Sequence, residues 1–535
     1  MTTCGVALID LLKAHGIDHV FGIPGVHTIE LYRGLAGSGL RHVTPRHEQG
    51  AGFMADGFAR VSGRPAACFI ITGPGMTNIA TAMGQAYGDS VPMLVISAVN
   101  RRHELNLGEG RLHEVYDQRG LIEHVSAFTH TLLRPSELPG VLEKAFAVMK
   151  AARPRPVNIE IPIDVFSLPA NGMKTTTGGP PYKPHPDPES IGRVGEKLRN
   201  AKQPVLLLGG GAVGAAQYIP LLAEALSAPT TLTSNAKGLL PAGHPLLLGS
   251  YAGCRGNSEC VDEADVVLAI GTELGETDYG FDRDPAFETN GFLIRIDIEA
   301  EQTTRNALPD IAVVSDATLA IEALLEELAG HTPPTNGEQR VLSAHKAGTM
   351  NELEPRMARH HAVFEAIRSA LSDAIIVGDS TEPAYFAQGN YDADRPRSWF
   401  CSGTGYGTLG YAVPAAIGAK LAAPERPVIA LVGDGGLMYS VGEMASAVEA
   451  KTPIICVLWN NQAFEEIKHA MVSAQVEPIG VDLHAPDFQA LAKSMGWDAD
   501  PVAHLDALPG LLARAAERDR PTLIEITPKT YGQER

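Results

Sequence analysis

Val428-Ile-Ala-Leu-Val-Gly-Asp-Gly-Gly436 and Ile454-Ile-Cys-Val-Leu-Trp-Asn-Asn461 decide how this chain of 535 residues is read. Both begin as apolar runs of the kind that form buried strands. The first runs into a carboxylate, Asp434, set among Gly433, Gly435 and Gly436; the second ends in two amides. The 24 residues between Gly435 and Asn460 suffice for a turn, one helix and a return strand. A right-handed strand–helix–strand crossover brings both strand ends to the same edge of a parallel sheet. There Asp434 and Asn461 offer oxygen ligands to a hard dication such as Mg2+, which keeps other ligands from phosphate oxygens. The Ala463 carbonyl is the expected third protein ligand. The three glycines leave room for a diphosphate beside backbone N–H groups.

Working outward, short β-branched runs alternate with helix-length amphipathic segments. This predicts the α/β class with doubly wound parallel sheets. A chain this long exceeds one core, and three domains are expected. Strands are expected at Ala67–Thr72, Met93–Ala98 and Val157–Pro162, then at Pro204–Leu208, Asp265–Ile270 and Gly291–Asp297. A third group lies at Ala374–Val377, Val428–Val432, Ile454–Trp459 and Leu523–Ile526. The Pro/Gly/Thr-rich stretch from Leu168 to Pro188 and the run His331-Thr-Pro-Pro-Thr-Asn-Gly337 read as linkers. The domains are therefore bounded at 1–170, 188–330 and 355–535. No internal sequence repeat is evident.

The net charge of −19, with no offsetting Lys/Arg cluster, argues against nucleic acid as a partner. The six cysteines show no zinc-site spacing and read as reduced thiols. No run of 18 apolar residues and no leader-like start occur, so a cytoplasmic protein without a membrane span is expected.

The Asp434/Asn461 segment resembles the diphosphate-binding domain of the thiamine-diphosphate-dependent acetolactate synthase and 2-oxo-acid decarboxylase family. Four further segments, in order, strengthen the resemblance. They are Phe21-Gly-Ile-Pro-Gly-Val-His-Thr28, Arg46-His-Glu-Gln-Gly50, Ile71-Thr-Gly-Pro-Gly-Met-Thr-Asn78, and Gly403-Thr-Gly-Tyr-Gly-Thr-Leu-Gly-Tyr411. The resemblance implies thiamine diphosphate and Mg2+ as cofactors. It makes Glu48 the carboxyl that activates the aminopyrimidine ring, and Leu409 the apolar wedge under a bent cofactor. It makes the Gly407 carbonyl an acceptor for the amino group, and places Pro24, Gly25, Thr72, Gly73 and Asn78 beside the cofactor. The three domains become pyrimidine-binding, middle Rossmann-like and diphosphate-binding. Such enzymes join the first domain of one subunit to the third of another. A homo-oligomer, dimer or dimer of dimers, is implied, with Glu48 serving a cofactor held by the partner chain.

The reaction is marked less sharply. Tyr116-Asp117-Gln118 stands where acetolactate synthases usually carry an aromatic-Gln-Glu segment, and His130 where they carry Lys. After Asn461 the chain reads Gln-Ala-Phe-Glu-Glu-Ile467 in place of the more frequent Gly and Tyr. These departures argue for non-oxidative decarboxylation of a 2-oxo acid to an aldehyde and CO2, with an acetolactate synthase-type carboligase as the alternative. His27 and His113 are candidates for proton transfer, and Gln118 for a hydrogen bond to substrate or cofactor. The acidic loop holding Glu273, Glu276 and Asp278 follows a strand end, where α/β ligands bind, and suits a guanidinium tail. That loop, with Gly22–Tyr32, resembles the 5-guanidino-2-oxopentanoate (2-ketoarginine) decarboxylases of the family. Gly209-Gly-Gly-Ala-Val-Gly214 satisfies a dinucleotide pattern but lacks an acid about 20 residues on, and reads as helix–strand packing.

Overall fold

Eighteen strands form three parallel sheets of six in the computed structural model, which describes residues 2–281, 284–348 and 355–532. The first sheet holds β1 (His19–Gly22), β2 (Arg41–Val43), β3 (Ala67–Ile70), β4 (Leu94–Val99), β5 (Phe128–Thr131) and β6 (Val157–Pro162), in the order β2-β1-β3-β4-β6-β5. The second holds β7 (Pro204–Leu208), β8 (Thr230–Leu232), β9 (Leu247–Gly249), β10 (Val266–Ile270), β11 (Phe292–Asp297) and β12 (Ile311–Val314), in the order β12-β11-β10-β7-β8-β9. The third holds β13 (Ile375–Gly378), β14 (Trp399–Cys401), β15 (Val428–Gly433), β16 (Ile455–Trp459), β17 (Asp498–Pro501) and β18 (Thr522–Ile526), in the order β14-β13-β15-β16-β18-β17.

The central strands are apolar and buried at every residue, as in β3, β4, β7 and β10, because helices cover both faces of such sheets. These are the strands the sequence patterning anticipates, to within a residue or two at most ends. Among the strands it omits, β2, β5 and β12 are three or four residues long with mixed burial, and β8, β9 and β14 are buried but only three residues long. Too few apolar residues then fall in a row to raise a signal. The stretch 171–187 carries neither helix nor strand, as a linker should.

Counted within each sheet, the first and third share one strand order, second-first-third-fourth-sixth-fifth. The chain therefore contains a structural repeat that its residues do not display. Sheet topology depends on where apolar runs and turns fall, and unrelated residues satisfy the same pattern.

Two compact units result. One comprises the chain up to Tyr182 together with Gly405–Val502 and Leu511–Pro528; the other comprises Lys183–Thr404, Ala503–Gly510 and the stretch from Lys529. In the first unit, the helix Glu48–Ser62 crosses its repeat equivalent, Ala412–Ala422, backbone to backbone. A Cβ at Gly57 would lie 2.0 Å from the Ala415 carbonyl oxygen, and one at Gly418 would lie 1.9 Å from that of Met54. Each glycine thus meets the carbonyl three residues before the other. A buried polar cluster borders the crossing. Arg60 donates to Asp56 at 2.6 Å and to Asp89 at 2.6 Å, and the Tyr411 hydroxyl donates to Asp56.

In the second unit the sheet has the strand order of dinucleotide-binding folds, with its switch point between β7 and β10. The crevice there is closed. Gly209 N–H donates to the Ile270 carbonyl at 3.0 Å and Gly211 N–H to that of Gly271 at 3.1 Å. This close approach of two backbones is why Gly209 and Gly211 lack side chains, and it agrees with helix–strand packing.

Replacing Gly57 or Gly418 with Ala forces the crossing helices apart. Each change should cost about 1–3 kcal/mol, as overpacked interiors do, and lower the midpoint of urea unfolding. An unchanged midpoint would show that the helices separate cheaply.

Candidate active site

Strands β15 and β16 pair in parallel with Gly433 opposite Trp459. Asp434 and Asn460-Asn461 therefore leave neighbouring strands at one sheet edge, as expected. The crossover between them differs from expectation. Two short helices, Asp434–Tyr439 and Glu443–Glu449, replace the single helix, because Ser440-Val441-Gly442 interrupts it. Asp434 is 3% exposed and Asn461 8%. The Asn461 side-chain oxygen accepts the Ala463 N–H at 3.2 Å. Ala463 bridges Asp482 through bonds made by Phe464 and Gln462, which leave the N–H and carbonyl of Ala463 itself outside that pairing. A carboxylate, an amide oxygen and a backbone carbonyl make a hard oxygen set. It fits Mg2+ and lacks the sulfur or imidazole that zinc prefers.

Glu48 begins its helix, after His47 as N-cap. Its carboxylate accepts a hydrogen bond from Asn78 Nδ2 at 2.9 Å. It lies against the turn after β3, where a Cβ on Gly75 would come within 3.4 Å of Glu48 Oε1. Sequence reasoning gives Asn78 to the cofactor; the structure gives it Glu48 as a partner. The turn itself is tight. Gly73 has φ of +69°, and a Cβ there would sit 2.4 Å from the His113 carbonyl oxygen. The first loop packs on the same turn, since a Cβ on Gly25 would strike Ile71. Pro24 is exposed, while Thr72 is buried.

His27 and His113 come together, their ring centroids 5.2 Å apart. Nδ1 of each is buried without a hydrogen-bond partner. Burial and the neighbouring His113 hold the His27 pKa below the ordinary 6.5, against the pull of Glu104. His27 is thus a neutral imidazole at pH 7. Gln118 is fully engaged: Oε1 accepts from Thr72 Oγ1 and Gly73 N–H, each at 2.9 Å, while Nε2 donates to the Ala98 carbonyl and to Glu160. It therefore braces the turn. Glu160 is 4% exposed; burial raises its carboxyl pKa, opposed by bonds from Thr131 and Gln118. A cavity of about 390 Å³ opens beside this brace, lined by Glu104, Glu114, Asp117 and Glu160 among others.

The loop of Gly407 and Leu409, which precedes the helix Ala412–Ala422, reaches the turn that follows Asp434. Gly407 and Gly410 have φ of +74° and +78°, and Gly410 packs against Tyr439 and the Gly436 carbonyl. Leu409 stays partly exposed beside buried Thr408. Thr408 N–H and Oγ1 donate to Gln85 Oε1 at 3.3 and 3.1 Å. In the other unit, Glu273 and Glu276 are exposed, whereas Asp278 accepts the Ser234 N–H at 2.8 Å.

Sequence reasoning missed Gln85, Glu160 and Glu443. The available signal was a lone polar residue in a small-residue helix, as at Ala82-Met-Gly-Gln-Ala86 and Val441-Gly-Glu-Met-Ala445. Replacing Gln118 with Leu leaves the Gly73 N–H and Thr72 hydroxyl without their acceptor. A loss of about 1–3 kcal/mol is expected, measured by thermal unfolding; a wild-type melting temperature would show that water replaces the brace.

Comparison with known proteins agrees with this geometry. Residues 2–121, 191–324 and 379–526 match, respectively, the N-terminal TPP binding, central and C-terminal TPP binding domains of thiamine pyrophosphate enzymes. The probable 2-ketoarginine decarboxylase AruI of Pseudomonas aeruginosa is 44% identical over 527 residues, 98% of this chain and 94% of the relative. The acetolactate synthase isozyme 1 large subunit of Escherichia coli is 34% identical over 468 residues, covering 85% and 81%. A probable acetolactate synthase large subunit of Methanocaldococcus jannaschii is 30% identical over 546 residues, covering 97% and 91%. Among the described residues no helix is long and apolar enough to cross a membrane. With its Asp434/Asn461 edge, its Glu48 turn and these full-length relatives, the chain belongs to the thiamine pyrophosphate enzyme family.

Proposed function

We propose that this enzyme is a Mg2+-dependent, non-oxidative decarboxylase of a 2-oxo acid bearing a cationic tail, with 5-guanidino-2-oxopentanoate as the candidate substrate and an aldehyde and CO2 as products. The observation that supports the cofactor dependence is that Asp434 and Asn461 leave neighbouring strands at one sheet edge, with a separately braced Glu48 turn; decarboxylation is supported by the AruI relative. The substrate is supported by the AruI relative and by acids in the 273–278 loop. Residues 1–170, 188–330 and 355–535 are read as pyrimidine-binding, middle and diphosphate-binding domains. The working form is a cytoplasmic homo-oligomer, dimer or tetramer, with Glu48 facing the neighbouring chain's cofactor.

Thiamine diphosphate supplies the electron sink that decarboxylation requires. Asp434, Asn461 and the Ala463 carbonyl would hold Mg2+, and Gly433, Gly435 and Gly436 would admit the diphosphate. Leu409 and the Gly407 carbonyl shape and orient the ring pair. Glu48 would hold the proton that the aminopyrimidine ring of a bound cofactor exchanges. His27, held neutral, and its neighbour His113 stand side by side to relay the proton that completes the aldehyde. Glu273 and Glu276 attract the guanidinium, while Asp278 chiefly fixes the loop.

Three measurements test this. CO2 release across a panel of 2-oxo acids should favour 5-guanidino-2-oxopentanoate; acetolactate formed from pyruvate would replace the reading with a carboligase. Asp434→Ala and dialysis against a chelator should each abolish turnover, with Mg2+ restoring only the dialysed enzyme. Protonation of His27 removes its neutral form, so kcat/KM should fall as pH drops below its depressed pKa. The acid limb should lie below 6.5 and be altered in His27→Gln; an unaltered limb assigns the proton elsewhere.

A further inference from the structure

We infer that Glu443 is a positioning residue for Glu48, acting through the backbone that leads into the Glu48 helix. The Glu443 carboxylate accepts the Arg46 N–H at 3.0 and 3.2 Å and the His47 N–H at 3.0 Å, the two peptide groups immediately before Glu48. It is 2% exposed. Gly50 makes space for it: a Cβ there would fall 2.3 Å from Glu443 Oε1. The short helix of Glu443 is fixed in turn by Trp497, whose Nε1 donates to the Met444 carbonyl at 2.7 Å.

The repeat supplies an independent reason. Gln85 lies on the helix Pro74–Gly88, which follows the third strand of the first sheet. Its Oε1 holds the Thr408 N–H immediately before Leu409. Glu443 lies on the helices that follow the third strand of the third sheet, and it holds the N–H groups immediately before Glu48. Each half thus sends one buried oxygen acceptor to the peptide ahead of the other half's helix. Gln85 fixes the loop of the cofactor wedge, and Glu443 fixes the activating acid. Oε1 of Glu443 accepts both peptide donors, and a carboxamide would place its NH2 where Oε2 now stands, 3.2 Å from the Arg46 N–H and opposed to it. Burial raises the Glu443 carboxyl to about 7, opposed by these donors.

The proposal rests on the cofactor reading of Glu48, and the experiment separates the two. In cofactor-free Glu443→Gln protein, amide hydrogen exchange over residues 46–50 should quicken about tenfold. In the loaded protein, exchange of the thiamine C2 proton should slow on the order of ten- to a hundredfold, as displaced catalytic groups do, with cofactor affinity little changed. Gly50→Ala, which crowds the same carboxylate from the other side, should reproduce both effects if Glu443→Gln folds poorly. Adding Glu443→Gln to Glu48→Gln should slow C2 exchange no further. Wild-type amide protection in Glu443→Gln, or a full additional loss in the double variant, would overturn the positioning role. A Glu48→Gln protein with wild-type C2 exchange would overturn the reading of Glu48 itself.

Discussion

The site depends on a contact that contains no side chain. Where the helices Glu48–Ser62 and Ala412–Ala422 cross, Gly57 meets the Ala415 carbonyl and Gly418 meets that of Met54. Weak Cα–H···O contacts and dispersion are what such a crossing gains, and the closeness leaves little freedom to slide. Met54 lies six residues from Glu48, or about 9 Å along the helix. A small pivot at the crossing would therefore be magnified at the carboxylate. The Arg46 and His47 bonds to Glu443 act at that far end, where restraint against pivoting is most effective.

The ionic cluster beside the crossing has a different use. Arg60 is 9% exposed at its side chain, Asp56 0% and Asp89 4%. Desolvating three charges consumes most of what their attraction returns, so the cluster adds little net stability over an apolar packing. What it adds is a unique arrangement. Tyr411 and Gln85 join the cluster through Asp56 and Asp89, and Gln85 also holds Thr408. The loop of Leu409 is thereby tied to the first sheet through hydrogen bonds whose geometry tolerates little displacement.

Much of this was legible in the residues. Asp434, Asn461 and Glu48 announce themselves because glycines and polar groups there interrupt strongly apolar runs, and the apolar runs fix which strands end at that edge. The repeat was not legible. Asp434 and Gly73 occupy equivalent turns after third strands, yet share no residue chemistry, one being a buried carboxylate and the other a glycine in close backbone contact with His113. Gln118 differs again. Its position beside a catalytic-looking segment suggests a hydrogen bond to substrate or cofactor, while in the structure its polar atoms bond to Thr72, Gly73, Ala98 and Glu160. Only coordinates reveal that a polar group is already satisfied. The break at Ser440-Val441-Gly442 was visible as a glycine after a small polar residue, but helix length alone did not expose it.

The charge balance bears on substrate choice. At −19, the chain repels a simple 2-oxo acid anion at long range. A 2-oxo acid with a guanidinium tail is neutral overall, so the same field turns it instead of repelling it. Glu273 and Glu276 are exposed, and salt screens such groups beyond about 8 Å at physiological ionic strength. On the proposed reading, their influence on a cationic tail is one of approach and orientation more than of tight pairing.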